Sequence, residues 1–464
     1  MSMTRKAFKY DMLRGLGSCV LELRNTRDIE KFRPLVLWGC SRDMAYDAQS
    51  EGCRSVYLYQ LITQFPDAAP FMDVLERRLY QCLRSKGWEF LQDCEVLSYF
   101  AQDGEKRAWD ILKNCYRKTL QLLNRKRKYI EDGLADNFES LCVTLVTMRP
   151  EMYRMLVRDI GLMIESNSLY SASEFTWFQA VSESRLGKKA INRILCRPDA
   201  EGGIKAYARS MEEYRKRWDR AETERRKSEP NTADEIYEGL KEGEGAERAV
   251  SPYLARRMIN QGRQQEAAKL AAYYRDEKEP ALRYQLLRML ANKACAGMLD
   301  VERLLADSRW DYDELAARAF DALSYIRDNR VREYAYQLLG DEKRLAQAVS
   351  LLAANYEDGD REVLVRAVKQ IPITYEDGAW HGVFDDIMNL FSGPAKHKPK
   401  ELLPYMYRNT LCSFCREYVV REMGRRRMLT EEMLEEMRYD CNGKIRDYAE
   451  RKLGKGQRME AGAR

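Results

Sequence analysis

Residues 315–339, LAARAFDALSYIRDNRVREYAYQLL, decide how this chain folds. Leu315, Ala319, Ala322, Leu323 and Ile326 stand at i, i+4, i+7, i+8 and i+11, so they share one stripe of an amphipathic helix. After the break Arg327-Asp328-Asn329, a second stripe runs through Val331, Ala335, Leu338 and Leu339. Two short helices joined by a tight turn account for this pattern. Asp328 is placed to cap the second helix, because a carboxylate there accepts hydrogen bonds from backbone N–H groups that lack a partner within the helix.

The pattern recurs on both sides. Leu282, Leu286, Met289 and Leu290 follow Glu279-Pro280, with Pro280 suited to a first helical turn. Ile445, Ala449 and Leu453 follow Asp440-Cys441-Asn442, so Asn442-Gly443 reads as a turn entering a helix and not as a hairpin. Composition agrees: 464 residues carry 12 prolines and 26 glycines among abundant helix formers, which leaves few turns for strands to use. The fold class that follows is all-α.

The segment Ala316 to Leu323, followed by Asp328-Asn329-Arg330-Val331-Arg332 and then Ala335, Leu338 and Leu339, resembles a HEAT repeat. In that armadillo-like family the second helix of a hairpin opens with Asp-(Pro/Asn)-x-Val-Arg. Asp328 and Arg332 match the family's turn positions. Weaker copies put the corresponding arginine at Arg283 and Arg446, and degenerate ones at Arg366 and Arg416. The spacings along this series are 49, 34, 50 and 30 residues; individually they scatter, but their average of about 41 lies in the range of HEAT and armadillo repeats. The resemblance covers residues 251–454 and implies stacked helical hairpins forming a superhelix, an α-solenoid in which Asp328 and Arg332 are candidates for a ladder between neighbouring hairpins, against an equal account in which they are a helix cap and a solvated surface arginine.

The first half, residues 1–218, has helical stripes without that signature. Examples are Val56, Tyr59 and Gln60, and Met152, Met155, Leu156, Ile160 and Met163, so divergent helical hairpins are expected. Residues 219–250 carry ten Asp or Glu, six Lys or Arg and almost no large aliphatics, the composition of a charged linker or exposed loop whose start could continue as a solvated helix. The tail 455–464 is expected to be disordered.

Composition also removes function classes. Only His381 and His397 occur, which removes most routes to His-based acid/base catalysis, His-rich metal sites and Ser/His/Asp triads. No catalytic residue is assigned. Charged residues make up 33% of the chain and mean hydropathy is −0.61, with no apolar run long enough to span a membrane. The opening MSMTRKAFKYDML lacks the apolar core of an export signal, so a cytoplasmic, reducing location and free thiols are expected for the twelve cysteines.

The densest polar cluster is Tyr46, Asp47, Gln49, Glu51 and Arg54, just before an apolar helix. It is the first candidate surface for a partner, against an account in which Asp47 or Ser50 caps the helix and Glu51 pairs with Arg54. Cys412-Ser413-Phe414-Cys415 is a CxxC, but no second CxxC accompanies it. Cys412, Cys415 and Val419 fall at i, i+3 and i+7, so core packing is preferred and no metal is assigned. Neither Gly15-Leu16-Gly17 nor Gly243-Glu244-Gly245 has the context of a phosphate loop, and no cofactor is expected.

Basic groups occur at Arg125-Lys126-Arg127-Lys128 and Arg425-Arg426-Arg427. Such groups attract phosphates, yet acids are interleaved and the pI near 8.6 is below that of a dedicated nucleic-acid domain. By resemblance, HEAT proteins are mostly scaffolds and adaptors, so the expected role is non-catalytic binding of a protein or peptide on a concave surface. The alternative is nucleic-acid binding, as in some HEAT-like bacterial proteins that act as DNA glycosylases on alkylated bases.

Overall fold

The structure is a computed structural model, and it describes residues 3–85, 87–125, 132–167, 169–228, 232–242, 253–309, 313–373, 379–393 and 397–462. Among these residues every regular element is a helix. None is long and apolar enough to cross a membrane.

The chain divides into two compact units. The first comprises residues 1–224, 411–420 and 427–464. It opens with α1 (Arg5–Arg14), α2 (Ser18–Asn25), α3 (Arg33–Cys40) and the short α4 (Ala48–Glu51). There follow α5 (Ser55–Ile62), α6 (Ala69–Gln81), α7 (Glu89–Gln102), α8 (Lys106–Leu123) and α9 (Asp132–Met148). Then come α10 (Tyr153–Ser166), α11 (Thr176–Leu186), α12 (Lys188–Leu195) and the long α13 (Gly202–Ser228).

The second unit comprises residues 225–410 and 421–426. Its helices are α14 (Ala233–Lys241), α15 (Leu254–Asn260), α16 (Gln264–Asp276), α17 (Pro280–Leu290) and α18 (Val301–Asp307). They continue with α19 (Asp313–Leu323), α20 (Asn329–Leu338), α21 (Leu345–Ala354), α22 (Arg361–Gln370), α23 (Ala379–Ser392) and α24 (Leu402–Asn409). The chain closes with α25 (Ser413–Arg425), α26 (Glu431–Met437) and α27 (Gly443–Gly462).

Helical periodicity explains the core. On α8, Ala108, Ile111, Leu112, Cys115, Tyr116, Thr119 and Leu123 are buried at a spacing of three to four residues, while the charged residues between them face outward. Within each unit, the most extensive packing is between helices one or two places apart along the chain, such as α7 on α8 and α9, α9 on α11, α17 on α19, and α21 on α20 and α23, while α3 also packs on α6. The stripe read from residues 315–339 is buried at Leu315, Ala319, Ala322, Leu323, Ile326, Val331, Ala335 and Leu338. Asp328 caps α20 by accepting the Arg330 N–H at 2.8 Å. Pro280 opens α17, and the Asn442 side chain accepts the Lys444 N–H at 2.9 Å at the start of α27.

Three boundaries differ from the sequence reading. The charged stretch expected as a linker is helical over its described parts. α13 carries through to Ser228, and α14 starts at a reciprocal cap in which Thr232 accepts the Glu235 N–H and Glu235 accepts the Thr232 N–H. Ala233, Ile236 and Leu240 are few but fall on one helical face, and they are buried. The tail expected to be disordered continues α27 as helix to Gly462, in a run free of proline and rich in helix formers. The region read as one repeat array, 251–454, is divided, with 411–420 and 427–454 belonging to the first unit.

Candidate functional site

The polar cluster before α5 has an internal role at its centre. Glu51 and Arg54 pair through both carboxylate oxygens at 3.0 Å, and their side chains are 0% and 2% exposed. Glu51 also accepts the backbone N–H groups of Tyr46 at 2.5 Å, Asp47 at 3.0 Å and Ser413 at 2.8 Å. Arg54 donates to the carbonyls of Leu13 at 2.6 Å and Leu411 at 2.7 Å. Burial pushes the Glu51 carboxyl up, but the Arg54 charge and these amide donors outweigh it and hold it below the usual carboxylate range.

Glu51 and Arg54 are therefore not a partner-facing surface: they clasp α1, the α4 turn and the start of α25 within the first unit. Asp47 caps α4 by accepting the Ser50 N–H, as the capping account held. Of the five residues only Gln49 is exposed, with Tyr46 and Asp47 half-buried.

A second buried pair lies in the same unit. Arg416 and Asp440 meet through two hydrogen bonds of 2.9 Å, and both are 0% exposed. The Gly15-Leu16-Gly17 stretch serves this closure and not phosphate. The Gly15 carbonyl accepts the Cys441 N–H at 2.8 Å, and a side chain at Gly15 or Gly17 would overlap Cys441 or the Glu436 carbonyl.

Two of the arginines singled out in the sequence, Arg283 and Arg332, share a geometry. Arg283 pairs with Asp307 at 3.2 Å and Arg332 with Asp360 at 2.6 Å, each carboxylate lying on or beside the next hairpin. Tyr274 also donates to Asp307, and Tyr336 to Asp360. Asp328 does not join this series, since its carboxylate is engaged by its own helix and by Arg330. Arg446 donates to the carbonyls of Asp440 and Cys441.

The basic groups are only partly within the described residues. Arg125 is exposed just past α8, and Lys126, Arg127 and Lys128 lie outside the described residues. Arg425 and Arg426 both bond to Glu422 at 2.8 Å, and Arg426 sits over the Phe391 ring. Arg427 adopts a left-handed backbone, φ 56°, which ends the local run. No phosphate-tracking row is assembled from the described members.

The feature that sequence reasoning missed is a cleft of about 200 Å³ in the second unit. Its walls come from the C-terminal ends of four helices: Lys293 beyond α17, Ser324 to Arg327 beyond α19, Ala353 and Ala354 of α21, and Asp386 to Gly393 at the end of α23. Helix C-termini present carbonyls and a partial negative charge, which favours cations such as Lys293 and Arg327 nearby. Arg327 lies beside Gly393, where an added Cβ would come within 3.4 Å of its guanidinium.

Asp386 carries the most shifted acid of the cleft, pushed up to about 7 by burial and only partly restrained by the Ser350 hydroxyl. Asp321 and Asp385 are also raised by burial, and both add to the negative field at the exposed Tyr325 phenol. The cleft thus offers two cations, a carboxyl that changes charge near neutrality and hydroxyl and amide hydrogen-bonding groups in one small space. Its residues are 100 positions apart in sequence and carry no motif, so only the stacking of helices brings them together. No protein-family model matches this chain, and no curated protein matches it in sequence.

Proposed function

We propose that this chain is a non-catalytic, HEAT-like helical scaffold that binds a protein or peptide partner. The observation that carries the reading is the forward tie from an arginine to an aspartate 24 or 28 residues later: Arg283 to Asp307, Arg332 to Asp360 and Arg416 to Asp440. A tie repeated at this spacing links each helical hairpin to the next, which is how hairpins that cannot bury both faces alone become a stacked array. Such arrays present long surfaces on which many side chains act together.

The cleft of the second unit is the docking point in this reading. Lys293 and Arg327 suit partner carboxylates, while Asp386 and the hydroxyl and amide groups of Ser324, Tyr325 and Asn389 suit the donors and acceptors of a peptide. Photo-crosslinking from an unnatural benzophenone side chain at Tyr325, an exposed cleft residue, tests this in the producing cells. A discrete protein adduct lost on Arg327→Ala supports the reading. Crosslinking to nucleic acid, together with oligonucleotide binding that weakens steeply with salt, would replace it with the nucleic-acid alternative.

A further inference from the structure

Cys412 and Cys415 stand apart from the other cysteines in geometry. Cys412 precedes α25 as its cap residue and Cys415 lies within its first turn, both in the first unit. Their sulfur atoms lie within 4.8 Å of each other. Interaction with the Cys415 thiol, and with the backbone N–H groups of Cys415 and Phe414 at the start of the helix, favours the Cys412 thiolate. The flanking backbone is held rigidly, since Arg54 grips the Leu411 carbonyl and Glu51 grips the Ser413 N–H.

We propose that Cys412 and Cys415 form a redox site, in which hydrogen peroxide oxidises Cys412 and Cys415 resolves it to an intramolecular disulfide. The Cys412 thiolate attacks one peroxide oxygen, the O–O bond breaks and hydroxide leaves, giving a sulfenic acid. The Cys415 sulfur then attacks the Cys412 sulfur, the S–O bond breaks, an S–S bond forms and water leaves with the Cys415 proton. Two thiols lose two electrons, and the peroxide is reduced to two waters.

Electrostatics agree with this division of roles. Interaction with the Cys415 thiol holds the Cys412 thiol below its ordinary range despite the opposing burial. Burial pushes nine of the twelve cysteines the other way, upward. The pair is 2% and 6% exposed, which admits a small uncharged peroxide more readily than a bulky disulfide.

The test treats the full-length protein with increasing hydrogen peroxide, quenches it with an alkylating agent and maps the modified peptides by mass spectrometry. A peptide containing a Cys412–Cys415 disulfide, two hydrogens lighter than the dithiol and formed before the exposed Cys196 is oxidised, is the expected result. In Cys415→Ser a dimedone-reactive sulfenic acid should accumulate at Cys412. Oxidation confined to Cys196, or a co-purifying zinc ion whose removal is needed before Cys412 and Cys415 react, would overturn the proposal. Because the first readout uses the unaltered protein, a folding defect in the variant leaves the test decisive.

Discussion

Arg416 and Asp440 are joined by two parallel 2.9 Å hydrogen bonds and neither is exposed to solvent. Taking two ions out of water is costly and is offset only while both remain. Asp440→Ala should therefore destabilise the first unit by about 3–5 kcal/mol, whereas replacing both residues with leucine should cost markedly less than the two single changes combined. Denaturant midpoints of the singles and the double check this. Additive losses would show that the pair is not coupled.

The Glu51 and Arg54 clasp leads to a similar expectation with a different geometry. Because Glu51 holds the N–H groups of Tyr46, Asp47 and Ser413, Glu51→Ala leaves three backbone donors and one guanidinium short of an acceptor. A loss of about 3 kcal/mol or more is expected, well above the value of an exposed pair. Limited proteolysis should then cut near residues 411–413, and resistance equal to wild type would contradict the clasp.

Gly15 and Gly52 separate backbone strain from steric overlap. Both have positive φ, 68° and 72°, but an added Cβ at Gly15 meets Cys441 while one at Gly52 meets nothing within 4 Å. Gly52 has ψ −176°, a region essentially restricted to glycine, so Gly52→Ala should cost about 1–3 kcal/mol from backbone strain alone. Gly15→Ala combines a left-handed strain of about 1–2 kcal/mol with overlap on Cys441, so Gly15→Ala together with Cys441→Ala should recover part of its loss, whereas Gly52→Ala has no neighbour to trim; thermal melting of the variants gives the comparison.

Asp386 should make stability depend on pH. Its folded value is raised to about 7 from an ordinary 3.8, so the folded state holds the proton more tightly than the unfolded chain does. Its contribution is present below about pH 4, declines as pH rises to about 7 and stays lost above that. Asp386→Asn should raise stability at pH 8 by about 1 kcal/mol and flatten the curve between pH 4 and 7. An unchanged pH profile would place the carboxyl in an ordinary solvated setting.

The extent to which the sequence was legible follows from the range of the interactions involved. The stripe from Leu315 to Leu338, the Asp328 cap, Pro280 at a helix start and the Asn442 cap all depend on residues within a few positions of one another, and each is found in the structure. The boundary between the two units does fall within the charged stretch, but its helix α14 was not legible, because composition registers how many apolar residues there are, whereas burial of Ala233, Ile236 and Leu240 depends on their sharing one face. The polar cluster at 46–54 was singled out correctly as dense, but its direction was not visible. A buried ion pair and an exposed one have the same spacing in a sequence.

By itself, then, the sequence determined the all-helical fold and the turn and cap residues at Pro280, Asp328 and Asn442, because helix formation and capping are local. Tertiary structure alone decided that Arg332 reaches Asp360, that Arg54 binds carbonyls 41 and 357 residues away, and that four helix ends enclose the cleft around Asp386. Those partners are chosen by which helix faces meet when apolar stripes are buried. The free energy of an ion pair or a carboxyl depends on that burial, which no short stretch of sequence contains.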